Sequence, residues 1–171
     1  PDKRPAAEGR VTVCDINPAM LDVGRQRGEK RGLADRIEWV EGNAEARPVE
    51  TASIDLATLA FGLRNVTDID AALSDAYRLL KPGGRFYCLE FSRVVLPGVR
   101  EAYDQFSFKV IPRIGQIVAK DRDSYQYLVE SIRRFPPQKA LAKRMEKAGF
   151  ELVKVRNLSA GIAAIHSGWK L

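Results

Sequence analysis

Three short stretches carry side chains whose types and places suit recognition or proton chemistry. Asp15 closes the apolar run "RVTVCDI", just ahead of Asn17-Pro18. An acid in that place can accept hydrogen bonds from both hydroxyls of a ribose, and a charged acceptor makes each bond worth roughly 1.5–3 kcal/mol. It can equally do no more than cap the helix that Pro18 opens. In "GNAEARP", residues 42–48, Asn43 can offer an amide to a base edge while Ala44 leaves room for a ring, although a Gly-Asn turn forms without any ligand. "FGLRN", residues 61–65, puts Arg64 and Asn65 where an apolar run opens into a loop. Ligands of open α/β sheets gather at the carboxyl ends of strands. The pair therefore reads either as donors aimed at a substrate oxygen or as a structural arginine that satisfies loop carbonyls.

These residues need elements to hold them. Arg10 to Ile16 is a β-branched run that reads as a buried strand. Pro18 then suits the first position of a helix, where its missing N–H costs nothing; Met20, Leu21 and Gly24 begin one helical face, and Gly32 stops it. Met20 could lie against an adenine, but a helical methionine reads first as core. Ile37 to Val40 and Ile54 to Ala60 read as two further strands. Thr67 and Asp68 offer N-caps to a helix with Ala72, Leu73, Ala76, Leu79 and Leu80 on one face. Lys81-Pro82-Gly83-Gly84 reads as a turn that ends this helix, with no following helix to make it a phosphate cradle. Arg85 to Phe91 is the fourth strand. Strands alternating with helices over short links predict a parallel sheet covered by helices.

Beyond Phe91 the pattern becomes helical. Tyr103, Phe106, Val110, Ile114 and Ile117 form a stripe interrupted by Pro112, which reads as core packing or as a wall for an apolar ligand. Tyr125, Leu128, Val129 and Ile132 form a second stripe, ended by Pro136-Pro137. A last helix packs Leu141, Met145 and Ala148 and is capped by Gly149. Phe150 to Val155 and Gly161 to His166 are two closing strands joined tightly enough to be antiparallel. The only histidine, His166, reads as a structural one.

With 171 residues, 45% of them hydrophobic, the chain can bury one good core, so a single domain is the expectation. No apolar run approaches the roughly 18–20 residues of a membrane-spanning helix. The net charge of +6, from 28 basic and 22 acidic residues, favours anionic partners. The charges are scattered and no nucleic-acid-binding signature accompanies them, so nucleic acid is not expected. Cys14 and Cys88 lie singly in apolar runs and read as buried thiols, and without a Cys/His cluster no metal site is expected.

Taken together, VTVCDINPAML, GNAE, FGLRNVTD, KPGGRFYCLEFS, DSYQYLVESIRRFP, AGF and GIAAIHSGWKL resemble the ubiquinone/menaquinone-biosynthesis C-methyltransferases, over nearly the whole chain. FGLRNVTD and SYQYLVESIRRFP are the specific motifs, whereas KPGG is shared by many class I methyltransferases. The tail AIHSGWKL looks more like the mitochondrial ubiquinone members of that family. The resemblance implies an α/β, Rossmann-like class I fold with strand order 3-2-1-4-5-7-6 and an antiparallel last strand. It further implies that the family's first strand and glycine-rich loop are missing ahead of Pro1, leaving one methyltransferase domain over 1–171 that is incomplete at its start and binds cofactor poorly on its own. Residues 99–135 become a helical, substrate-covering insertion.

The activity implied is S-adenosylmethionine-dependent methylation of a ring carbon of a polyprenylated benzoquinol. Asp15 matches the ribose-binding acid, Asn43 and Ala44 the adenine-side pair, and Arg64 lies in the substrate-side motif as the catalytic candidate. Ala60 stands where many bacterial relatives carry a serine that contacts the cofactor. Expected partners are the quinol, other quinone-biosynthesis proteins, a peripheral membrane surface and a second copy as homodimer. The expected place is the matrix side of the mitochondrial inner membrane. Two rival readings are a nicotinamide dehydrogenase, which also places an acid after its second strand, and a non-catalytic scaffold in a quinone-biosynthesis complex.

Overall fold

The computed structural model describes residues 9–95, 98 and 122–171. The expected stripe from Tyr103 to Val118, and with it residues 99–121 of the proposed cover, lies outside them.

The chain begins with β1 (Val11–Asp15), α1 (Pro18–Lys30) and β2 (Ile37–Glu41). The strands pair in parallel from Val11↔Ile37 to Asp15↔Glu41. The crossover helix lies so close to Trp39 that a Cβ added at Gly24 would stand 2.4 Å from the indole ring. Leu21 is the side chain that α1 buries. Met20, one position away and therefore rotated about 100° around the helix, is 58% exposed. The expectation that Met20 is core is thus overturned by the angular position of the helix on its two-stranded sheet.

The second unit contains β3 (Ile54–Ala60), α2 (Ile69–Leu79), β4 (Leu80–Phe91), α3 (Arg122–Arg134), α4 (Gln138–Lys147), β5 (Glu151–Leu158) and β6 (Ala163–Trp169). Its sheet has the order β3-β4-β6-β5. β3 and β4 are parallel, and β6 is antiparallel to both β4 and β5. In the order implied by the resemblance, β2 and β1 stand at positions 3-2 and the four-stranded sheet at 4-5-7-6. Among the described residues no strand pairs with the second edge of β1 or of β3, and Val11 and Leu56 on those strands are 54% and 55% exposed.

The caps fall largely where the residue types place them. Asp68 accepts from the N–H groups of Asp70 and Ala71 to start α2, and Gly149, at φ +105°, follows the end of α4. The KPGG segment differs from the expectation. It does end α2, but Lys81–Gly84 continue as a bulge within β4, between the pairs Ile54↔Leu80 and Leu56↔Arg85. The reason lies far along the chain. Gly83, at φ +79°, donates to the Lys170 carbonyl at 2.6 Å, and Lys170 donates back to Gly84 at 3.0 Å.

One core fills the space between α2, α4 and the four-stranded sheet. Ala72, Leu73 and Ala76 of α2 meet Phe86 and Cys88 of β4, Leu141 and Met145 of α4, and Phe150. Each large apolar side chain buried there contributes about 1.5–3 kcal/mol. Inward positions alternate along β4 as Phe86, Cys88, Glu90. The third of them is a carboxylate.

Candidate functional site

The loops that follow β1, β2 and β3 meet. Asp15 ends β1 exposed, with Oδ1 accepting from the Asn17 N–H at 2.8 Å. The cap of α1 belongs to Asn17, whose Oδ1 accepts from Ala19 at 3.0 Å. The carboxylate is therefore not consumed as a helix cap. The Asp15 carbonyl accepts from the Gly42 N–H at 3.0 Å, which draws the end of β1 against the loop after β2. Asn43 is exposed and folds back on its own loop, its Oδ1 accepting from Glu45 at 3.0 Å, while Ala44 is half-buried.

Glu45 joins this loop to the one after β3. Its Oε1 accepts from the N–H groups of Thr67 and Asp68 at 2.7 and 3.1 Å. Two residues on, Arg47 pairs with buried Asp75 of α2 at 2.9 Å, and Asp75 also holds Arg78 at 2.8 Å. Arg78 in turn donates to the carbonyls of Arg47 and Val49 at 3.0 and 2.9 Å. An irregular loop is thereby clamped along a helix through charge-assisted bonds.

Arg64 sits deeper. Its side chain is 12% exposed and pairs with Glu90, itself 1% exposed, at 3.2 Å. The same carboxylate accepts from the backbone N–H groups of Arg64 at 3.2 Å and of Phe91 at 3.1 Å. Arg64 Nη1 also donates to the Phe61 carbonyl, and its Nε is buried with no partner among the described residues. The guanidinium lies 5.4 Å from the centre of the Phe91 ring. Arg64 does satisfy a loop carbonyl, as the structural reading has it, and these bonds leave Nη2 unused. Asn65 is exposed, and its Oδ1 receives the Tyr127 hydroxyl of α3 at 3.4 Å, which brings that helix to the FGLRN loop.

Other titratable groups stand apart. His166 is fully buried on β6, with Nε2 3.0 Å from the Gln138 carbonyl. That acceptor places a proton on Nε2, and Nδ1 is buried with no partner among the described residues. Burial lowers its pKa below the ordinary imidazole value, while the bond to Gln138 opposes the shift. It is structural, as expected, and among the described residues it is satisfied at Nε2 alone. Cys88 is buried, and burial, with Glu90 adding, pushes its thiol pKa up. Cys14 is half-buried and shifted up, chiefly by burial.

Of the residues singled out in the sequence, Asp15, Asn43, Ala44 and Arg64 thus lie on one set of connected loops. Glu45, Asp75 and Glu90 were missed. For Glu90 a signal was present: an acid at the inward position of the alternating series Phe86, Cys88, Glu90 has to be paired. Glu45 carried none, because its partners are backbone groups 22 and 23 residues away.

Comparison with known proteins agrees with this architecture. The chain is 60% identical over 164 residues to the ubiquinone/menaquinone biosynthesis C-methyltransferase UbiE of Brucella anthropi, a match covering 96% of this chain and 62% of the relative. The namesake protein of Brucella abortus strain 2308 is also 60% identical, with 61% of its length covered. The chain therefore spans a little over three fifths of the curated relatives it matches. Among solved structures, a SAM-dependent methyltransferase from Aquifex aeolicus superposes with a TM-score of 0.67 at 14% identity, covering 97% of this chain and 71% of that one. The [4+2]-cyclase SpnF superposes at 0.71 and 15% identity, covering 95% and 66%. Similarity at that level shows the class I methyltransferase-type fold alone, and one fold serves more than one chemistry. The ubiE/COQ5 methyltransferase family matches residues 3–170, and the chain belongs to that family.

Proposed function

We propose that the protein of which this chain is a part or the whole transfers a methyl group from S-adenosylmethionine to a ring carbon of a quinol in ubiquinone or menaquinone biosynthesis. One observation carries the reading to this chain's own geometry: Glu45 ties the Asp15–Asn43 side to the loop bearing Arg64 and Asn65, so cofactor and acceptor groups share one rim. The finer proposal is a polyprenylated benzoquinol as acceptor, hence ubiquinone biosynthesis; a naphthoquinol would be the menaquinone counterpart.

The donor set fits the cofactor. Asp15, exposed and among the described residues bonded through Oδ1 alone, can take a ribose diol. Asn43 keeps its amide nitrogen for a base edge while Oδ1 is used internally, and exposed Met20 offers an apolar surface near the same end of α1. When bound, S-adenosylmethionine supplies an electrophilic methyl on a sulfonium centre.

The acceptor carbon becomes nucleophilic when a neighbouring phenol loses its proton, and an ordinary phenol titrates near 10. A guanidinium keeps its proton at physiological pH, so Arg64 is no base. Held by Glu90 and Phe61, it can direct its remaining N–H groups at the phenolate oxygen and stabilise that charge, leaving the proton to water. Each pKa unit gained by the phenol corresponds to about 1.4 kcal/mol and a tenfold larger phenolate fraction.

The wider expectations stay proposals. Residues 99–135 as a cover are supported by the Tyr127 contact with Asn65. Among the described residues no helix is long and apolar enough to cross a membrane, and the basic surplus suits a peripheral approach to anionic lipid. Association with other quinone-biosynthesis proteins and with a second copy rests on the resemblance. The mitochondrial setting rests on the C-terminal motif alone, since the relatives compared are bacterial.

The test is calorimetric titration of S-adenosylhomocysteine into this chain and into the full-length protein, alongside turnover with a benzoquinol and a naphthoquinol. Binding weakened at least tenfold by Asp15→Ala, with methyl transfer in the full-length protein, supports the proposal. Absence of binding and transfer in the full-length protein would leave the scaffold reading in its place.

A further inference from the structure

Phe61 is an unusual residue to find at its position. It has φ +54°, the left-handed region in which a Cβ is strained and glycine is the ordinary occupant. A glycine is next in the chain, yet Gly62 takes φ −116°, which any residue can adopt. Packing covers the residue only in part. Phe61 as a residue remains 37% exposed, and among the described residues its ring partner is Phe91, 4.6 Å away between centroids and tilted by 40°. Strained backbone clusters at functional sites, and among the residues at positive φ in this chain Phe61 is the one that stands beside the Arg64 guanidinium.

The surroundings indicate what the side chain does there. The Phe61 N–H donates to the Leu89 carbonyl at 2.9 Å, while the Phe61 carbonyl accepts from Arg64. The two rings and the guanidinium are therefore joined through backbone at the carboxyl ends of adjacent parallel strands β3 and β4. The Arg64 guanidinium lies 5.4 Å from the Phe91 ring, so the pair carries an aromatic face beside a fixed cation.

We propose that Phe61, backed by Phe91, is the platform on which the flat ring of the acceptor substrate stacks, and that it selects a planar phenolic ring rather than the aliphatic tail. This deepens the function proposed above and rests on it. An offset stack lets the substrate's π face lie on the Phe61 ring, with its phenolic oxygen directed to the Arg64 side. The role is recognition and positioning, so ring affinity and KM respond first.

The experiment compares full-length wild type with Phe61→Gly, Phe61→Leu and Phe61→Tyr. A short-chain benzoquinol and S-adenosylhomocysteine are titrated separately, and thermal midpoint and methyl transfer are recorded. Phe61→Gly should lose about tenfold in quinol affinity, the upper end of what one aromatic contact supplies, and keep its S-adenosylhomocysteine affinity within about twofold. Its thermal midpoint should change little, because relief of the left-handed backbone offsets the lost contact with Phe91. Phe61→Leu, apolar but not flat, should also lose quinol affinity, and Phe61→Tyr should retain it. Unchanged quinol affinity in Phe61→Gly or Phe61→Leu overturns the platform, as does a fall in thermal midpoint with KM unmoved. Wild type that binds quinol through Phe61 but transfers no methyl group would keep the platform and sink the reaction instead.

Discussion

At the end of β1, Asp15 is exposed and, among the described residues, held by one local bond from Asn17. At the end of β3, Arg64 is sunk beside a carboxylate that is 1% exposed and receives two backbone N–H groups besides. The first arrangement is assembled from neighbours in sequence, the second from residues 26 positions apart. A side chain held locally can be changed with little consequence for the fold and much for a ligand. One embedded in a buried pair is part of the fold and of any chemistry at once. Loss of activity therefore means different things at the two ends, and variants have to be chosen accordingly.

The contrast is broken most directly at the buried pair. Arg64→Ala leaves Glu90 uncompensated, and we expect a loss of about 3–5 kcal/mol in unfolding free energy. The double variant Arg64→Met/Glu90→Leu should recover only part of that loss by denaturant titration, because the N–H groups of Arg64 and Phe91 lose their carboxylate acceptor, and it should still fail in transfer. Asp15→Ala should move stability by less than about 0.5 kcal/mol while weakening cofactor binding. Equal stability losses for Arg64→Ala and Asp15→Ala would erase the distinction between the two ends.

A second effect tests where the β1 side keeps its own stability. Gly24→Ala drives a methyl group into Trp39, and overpacking of that kind costs about 1–3 kcal/mol. Glu45→Ala removes the acceptor for Thr67 and Asp68; by analogy with helix-cap losses it should cost about 1–2 kcal/mol, and it should weaken cofactor and quinol binding together. If it weakened only one of them, the shared rim would be two independent sites.

The smallest effect is a pH dependence on the buried side. Because burial lowers the folded-state pKa of His166 below 6.5, the unfolded chain binds its proton more readily. That contribution to stability is complete above pH 6.5 and is lost as pH falls below it. The thermal midpoint should decline over that acidic range, and His166→Asn should flatten the decline. An unchanged slope in the variant would assign the acid sensitivity to other groups.

Much of this was legible in the amino-acid sequence, for reasons that are local. Pro18 and Asn17 start α1, Asp68 starts α2, and Gly149 ends α4 because caps and left-handed residues act within a few positions of themselves. The apolar periodicity of Ala72, Leu73, Ala76 and Leu79 likewise specified the buried face of α2. Asp15, Asn43, Ala44 and Arg64 could be named because each closes or follows a strand, and strand ends are where a parallel sheet presents side chains to a ligand. Distance in sequence is what hid the remainder. The KPGG backbone stays within β4 because Lys170 pairs with it, Met20 is exposed because of how α1 lies on Trp39, and Arg64 is half structural because Glu90 is inward-facing. Residue types and short-range spacing determined which elements form and which groups are available. The tertiary structure alone decided which of those groups are neutralised by a buried partner and which are left to meet a ligand, since that depends on contacts closed across the whole chain.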